Sequence, residues 1–240
     1  MLSTLTPQRR RGIEFLDDPS VDHRLRRRSH RDIGVSNALF GGTRALLAEL
    51  DMAMPTLPVR ATLLDIGTGT GEATAMAERH CAKRGVRLQT MGLDFDEGLA
   101  AAARRYAHHG VCASALQLPF SDRSVDVVTC AQVAHHFEGG DLRRLLLEMN
   151  RVARVRVIVS DLRRSWIAVA GLWIASYPLG FHPVSRHDGV VSVLRGFTAA
   201  ELRSLIQETV GARASVRRRL GFRLTASWTP AAHRDGAGAS

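Results

Sequence analysis

The stretch LLDIGTGTGE, residues 63–72, constrains the fold more than any other part of the chain. The run ATLLDI is continuously apolar except for one acid, Asp65, and reads as a strand buried on both faces, as in a parallel sheet. Gly67, Gly69 and Gly71 follow on alternate positions with Thr68 between them, and EATAMAERHCAK then reads as a helix. A strand, a glycine turn and a helix make the opening of a βα unit, and free N–H groups at such a helix start attract anions.

The same rhythm repeats. VRLQTMGLD, GVCAS, VDVVTCA and RVRVIVSD read as strands, with EGLAAAARRYA and DLRRLLLEMNRV as helices and Asp141 as the expected N-cap of the latter. Repeated β-α units imply a parallel, doubly wound α/β sheet with right-handed crossovers. Residues 164–196 break the rhythm and read as an inserted helix plus loop. TAAELRSLIQETV restores a helix capped by Thr198, and ARASVRRRL with FRLTASW reads as a hairpin around Gly221. Upstream, residues 32–50 read as helical with an interruption at Phe40–Gly42. The divisions are 1–58, an N-terminal helical segment; 59–229, the α/β domain; and 230–240, a Gly/Ala-rich tail expected to be disordered.

The chain has 240 residues and a formal charge of +10, which by itself points to nucleic acid or an anionic surface. The composition weakens that reading. Lys83 is the only lysine, the arginines fall in small groups, and 5% aromatic residues provide no stacking platform for single strands. Solvated arginine faces are expected in preference to a nucleic-acid groove. Cys81, Cys112 and Cys130 lack C-x-x-C spacing and fit reduced, mostly buried thiols of a cytoplasmic protein. No signal peptide is read at the N-terminus, and the run from Ser165 to Phe181 falls short of the roughly 20 residues of a spanning helix.

The glycine loop does not suit a dinucleotide. G-x-G-x-x-G is replaced by G-x-G-x-G, with Glu72 in the third place, and a carboxylate at the loop's mouth repels a pyrophosphate. Asp65 would instead attract a ligand carrying an ammonium and a sulfonium. S-adenosylmethionine carries both and no phosphate. Asp94, at the end of the second strand, is placed to accept ribose hydroxyls; the bland alternative is a helix cap, a role for which Asp96 is available. Phe95 could lie against adenine.

With these residues in place, the chain resembles the class I S-adenosylmethionine-dependent methyltransferases from about Ala61 to Leu162, and more loosely to Trp228. LLDIGTGTGE resembles the first motif and GLDFDEGLAAAARR the second. ASALQLPFSDRSVDVVTCAQVAHHF resembles the stretch through the fourth strand and its His pair. The resemblance implies a Rossmann-like, mostly parallel seven-stranded sheet. It also implies a cofactor site made of Asp65, Gly67, Thr68, Gly69, Gly71, Asp94, Phe95, Ser114, Ala115 and Ala131, and no metal. Ser114 departs from the family's acid, so it or the Ala115 backbone would hold the adenine amino group. The family's Pro-Gly-Gly turn before the fifth strand is missing. The Asn/Asp-Pro-Pro-aromatic motif of amino-methylating nucleic-acid enzymes is missing too, which favours a small molecule. The nearest likeness is to the ubiquinone/menaquinone-type branch. The flanks FLDDPSVD…RSHRDIGVSNALFGGTRALL and SRHDGVVSVLRGFTAAEL resemble a bacterial subgroup associated with type III polyketide synthases.

The resemblance implies methyl transfer to an aromatic small molecule, by O-attack on a phenolic, alkylresorcinol-like acceptor or by C-attack on a quinone precursor; an RNA methyltransferase and a non-catalytic cofactor-binding module are the further alternatives. Methyl transfer is mainly a matter of alignment. Three histidines are candidate proton acceptors. His135 and His136 follow the fourth strand, where ligands enter a parallel sheet, though HHF could equally be a structural pair. His187 lies in the insertion, either in a substrate roof or in a surface turn. The apolar run Trp166–Phe181 reads as a buried helix, a greasy pocket wall or a membrane-touching patch, with the pocket wall preferred. By analogy with the family, the N-terminal helices, with Arg31, Asn37, Phe40 and Arg44, would form a lid over the cofactor.

Overall fold

The computed structural model describes residues 5–10, 12–17 and 21–230. The expected tail lies outside the described residues from position 231 onward, as does Arg11. Seven strands form one sheet: β1 Arg60–Ile66, β2 Arg87–Asp94, β3 His109–Cys112, β4 Val125–Ala131, β5 Ala153–Leu162, β6 Ser215–Arg219 and β7 Arg223–Trp228. Their order is β3-β2-β1-β4-β5-β7-β6. The pairs along β3 to β5 are parallel, and β7 runs antiparallel to both β5 and β6. The doubly wound sheet and the final hairpin expected from the strand pattern are both present.

The order reverses between β1 and β4, because the chain builds outward from β1 to β3 and then returns. A reversal leaves a crevice at the carboxyl ends of the two central strands. Register then decides what meets there. Asp65 on β1 lies beside Gly92 on one side and Thr129 on the other, and Ala131 on β4 lies beside Ser160 on β5.

Helices cover both faces. On one, α5 (Gly139–Val152) and α8 (Ala199–Val210) bury Leu145, Leu146, Met149, Leu202 and Ile206. On the other, α2 (Gly42–Ala53) and α3 (Glu72–Ala82) bury Leu46, Leu50, Ala77 and Cys81. α2 also carries Glu49, only 1% exposed, into the sheet. There Glu49 accepts from Thr225 (2.6 Å) and Ser227 (2.7 Å) and pairs with Arg219 (2.5 Å) and Arg217 (3.2 Å). Burial would raise this carboxyl, but those hydrogen bonds and the Arg219 charge outweigh it and hold it below its usual value.

Several local expectations are corrected. α5 starts at Gly139, two residues before Asp141, because Glu138 is the extended N-cap; Asp141 lies in the first turn, where the helix dipole still favours it. Thr198 and Glu201 form the capping box of α8 as expected. The insertion holds two helices, α6 (Trp166–Ser176) and α7 (Pro183–Arg195), rather than one helix and a loop. Within α6 only Ala168 and Ser176 are buried, so its large apolar side chains do not line an enclosed pocket. The arginines are not all solvated either. Arg164 is buried on Glu201, the Pro7 carbonyl and the Gly196 carbonyl, and Arg223 is buried at the start of β7. An arginine fork can satisfy several carbonyls and carboxylates at once, so a basic cluster in sequence can be internal glue.

Candidate active site

Upstream of the sheet, α1 (His23–Leu39) meets α2 at the break expected from Phe40–Gly42, and α4 (Glu97–Ala103) follows β2. At the crevice, Asp65 is buried and accepts the Thr129 hydroxyl at 2.7 Å. Burial pushes its carboxyl up to about 6. The Asp94 charge adds to this, and the Thr129 and Thr68 hydroxyls pull the other way. Such a carboxyl takes up a proton readily unless a cation comes to it.

The loop from Gly67 to Gly71 wraps this acid. Gly67 and Thr68 donate their N–H groups to the Leu93 carbonyl at 2.8 and 3.0 Å, which ties the loop to β2. Gly67 has φ +66, and a Cβ there would overlap the Val133 side chain. Gly69 has φ +56, and a Cβ there would meet nothing within 4 Å. The first glycine is therefore required by the protein itself, while the second faces open space. Gly71 is the N-cap of α3.

Asp94 accepts the Gly69 N–H at 2.9 Å through one oxygen and the Asp96 N–H at 3.1 Å through the other. Each oxygen keeps a further lone pair. Asp96 caps α4 by accepting from Leu99 at 3.0 Å, so the cap falls to Asp96 as expected. Phe95 is 82% exposed beside this turn. Ser114 accepts the Leu116 N–H, and Ser114, Ala115 and Ala131 are half-buried. A buried acid with a raised pKa, an open glycine and an acid at the second strand's end fit an adenosyl ligand that bears a positive charge.

Beyond β4, a 3-10 turn over Ala134–His136 carries the His pair. His135 is 4% exposed; its N–H and its Nδ1 are held by the two oxygens of Asp161, at 3.0 and 2.7 Å. Its Nε2 is buried without a hydrogen-bond partner and lies 4.0 Å from Glu14 of the N-terminal strap. Burial alone would raise the Asp161 carboxyl, but its pairing with the His135 ring and the hydrogen bonds from the Leu162 and His135 N–H groups hold it below the usual carboxylate range. His136 is exposed, stacks on His135 at 4.3 Å and lies 3.3 Å from Arg195. Glu14, His135 and His136 bring ligand-type atoms within 4.8 Å of one another. Arg195 already donates to Glu14 there at 3.0 Å, so a metal ion would have to displace a resident cation. His187 is in α7, not in a loop turn; it is exposed, meets the Phe15 ring in a tilted contact at 4.8 Å and pairs with the buried Asp188 at 3.0 Å.

The comparisons with known proteins decide the family. A methyltransferase domain model matches residues 64–159. The chain carries a class I S-adenosylmethionine-dependent methyltransferase domain. An uncharacterized methyltransferase of Mycobacterium sp. (strain JLS) is 34% identical over 166 residues, which cover 68% of this chain and 58% of that protein. The chain thus spans about 58% of the length of that relative. The demethylmenaquinone methyltransferase of Thermotoga maritima is 33% identical over 94 residues, 38% of each chain. In structure, the methyltransferase domain resembles magnesium protoporphyrin IX methyltransferase from Synechocystis, solved with bound S-adenosylhomocysteine. The TM-score is 0.53 at 16% identity, covering 89% of this chain and 90% of that one, a likeness of fold.

The site also holds residues that sequence reasoning missed. Thr129 and Asp161 were visible as polar residues in apolar strands, VVTCA and IVSDL, and could have been singled out. Glu14 gave no signal, because its partners are remote in sequence. A further link joins Gln132, which accepts from Arg223 at 2.8 Å, to the Phe40 carbonyl and Asn37 at the end of α1, both reached by the same guanidinium at 3.2 and 3.3 Å.

Proposed function

We propose that this chain is a methyltransferase for a small phenolic or polyketide-derived, alkylresorcinol-like acceptor, working by O-methylation with His135 as proton acceptor. When bound, S-adenosylmethionine supplies a methyl group on a positively charged sulfur. Asp65 would attract its positive charge, Asp94 its ribose hydroxyls, and Phe95 with Ser114 and Ala115 its adenine. Gly67, Thr68, Gly69, Gly71 and Ala131 would shape the floor. The lid role assigned to α1 draws support from Asn37 and Phe40, which Arg223 ties to the end of β4.

One observation carries the choice of base: Asp161 engages Nδ1 of His135 and leaves Nε2 without a hydrogen-bond partner, 4.0 Å from Glu14. A carboxylate on one ring nitrogen fixes the tautomer, so that the other offers a lone pair. A phenol, with a pKa of about 10, gains from such a neighbour. The strap that carries Glu14 covers this nitrogen, so an acceptor reaches it where that strap gives way. His136 and His187 are exposed and would contact substrate rather than take its proton.

A labelled-donor assay on a resorcinol and a hydroquinone, with product NMR, tests the proposal. Label on a resorcinol oxygen is expected. Label on a ring carbon would favour the second reading, C-methylation of a quinone precursor, which the similarity to the Thermotoga enzyme supports. Transfer to neither would sink both. An RNA substrate is not favoured, since many arginines are spent within the fold; steeply salt-dependent RNA retention on filters would overturn that.

A further inference from the structure

Helix α6 combines two properties that conflict in water. It reads WIAVAGLWIAS, apolar all round, a pattern that belongs to a buried or lipid-facing helix. Yet half of it is exposed. At about 3.6 residues per turn, Trp166, Ile167, Trp173, Ile174 and Tyr177 fall on one continuous stripe, and all five are exposed, Ile174 by 69%. Ala168, Leu172, Ala175 and Ser176 fall on the opposite side, the buried or half-buried one. A contiguous apolar patch of this kind marks a binding surface.

The charge around the patch identifies what it meets. From Arg163 through His187 the chain holds no acid. Arg10 lies over the Trp166 ring at 5.7 Å, Arg186 lies over Tyr177 at 4.2 Å, and Arg28 reaches the Gly180 carbonyl at 3.1 Å. Two acids that touch this region are turned inward: buried Asp32 accepts the His182 N–H, and buried Asp188 accepts from Phe15 and Leu16. Tryptophan and tyrosine on an apolar face with an arginine rim match the boundary of an anionic bilayer, where ring edges sit among headgroups and arginines meet phosphates. At 11 residues α6 is too short to span, and among the described residues no helix is long and apolar enough to cross a membrane.

We propose that the exposed face of α6, with its arginine rim, docks this protein on the surface of an anionic membrane, the helix lying in the headgroup plane. This inference is independent of the reading of the reaction. α6 packs on α7, which packs on the His135–His136 turn, so docking would bring the candidate site close to the lipid.

Vesicle flotation tests it, using phosphatidylcholine with and without phosphatidylglycerol. Tryptophan emission gives a second readout, because Trp228 is buried and Trp166 and Trp173 supply the exposed signal. The wild-type chain should float with the anionic vesicles, more weakly at high salt, with blue-shifted emission. Ile174→Asp and Trp173→Ser, both at exposed positions, should fold normally by circular dichroism and bind at least about tenfold more weakly. Any of three results would overturn the proposal: no flotation, equal binding to neutral vesicles, or anionic binding unchanged by both variants. Light scattering that showed a dimer made monomeric by Ile174→Asp would do so too, by assigning the patch to a second copy.

Discussion

The Thr129 hydroxyl sits 2.7 Å from the Asp65 carboxylate, and this contact is made by register: β1 and β4 pair so that the two residues are direct neighbours. The Thr129 and Thr68 hydroxyls do not offset the burial of a carboxylate, and Asp65 is raised to about 6. A ligand ammonium, which S-adenosylmethionine and S-adenosylhomocysteine both carry, favours the ionised form. Binding of S-adenosylhomocysteine, followed by calorimetry, should therefore weaken as pH falls through about 6, with proton release in that window. Asp65→Asn should flatten the profile, and Asp65→Ala should lower affinity at least about tenfold, roughly 1.4 kcal/mol.

The same shift has a stability consequence of opposite sign to the common carboxylate case. The folded carboxyl binds its proton more tightly than the unfolded one, whose pKa is about 4. Asp65 should thus cost the ligand-free fold nothing below about pH 4, and progressively more up to about pH 6. In thermal melts without ligand, Asp65→Asn should gain on the wild type as pH rises through this window.

Glu49 gives the contrasting case. With four donors around a buried carboxylate, its pKa is depressed, so its stabilisation is present above the unfolded value and is lost as pH falls. Glu49→Ala leaves Arg217 and Arg219 facing a void and should cost about 3–5 kcal/mol in urea unfolding. Glu49→Gln, which keeps the shape, should cost less.

Gly67 and Gly69 separate folding from binding. Gly67→Ala meets both a positive φ and the Val133 side chain, and should lower stability by more than the 1–2 kcal/mol or so of a strained backbone alone. Gly69→Ala meets only the backbone term. It should leave a folded protein that has lost ligand affinity, as denaturant melts and calorimetry on both variants would show.

Asp161→Asn tests the base. It preserves shape but frees the tautomer of His135, and should reduce kcat by about 10²-fold or more, with an altered pH profile. A fall in stability alone, at constant kcat and profile, would make the pair structural.

Much of the fold was legible because it is local. The run ending LLDIG, the alternation of apolar strands with alanine-rich helices, and the Thr198 capping box are each encoded within a few residues, at periods set by backbone geometry. The cofactor loop was legible for the same reason: Asp65, its glycines and Asp94 are short-range signals in successive β-α units. What depended on distant segments was not readable. Whether the apolar run at Trp166 faces inward depends on what packs against it, and periodicity cannot tell a buried helix from an exposed one that is apolar all round. The arginine groups read as solvated until partners such as Glu49 and Glu201, far along the chain, were brought to them. The pairing of His135 with Asp161, beneath a strap carrying Glu14, exists only once β4 and β5 lie side by side and the N-terminus folds back. A sequence determines which groups a chain owns and the local shape of each segment. The solvation and charge of those groups belong to the assembled neighbourhood, and only the tertiary structure decides that.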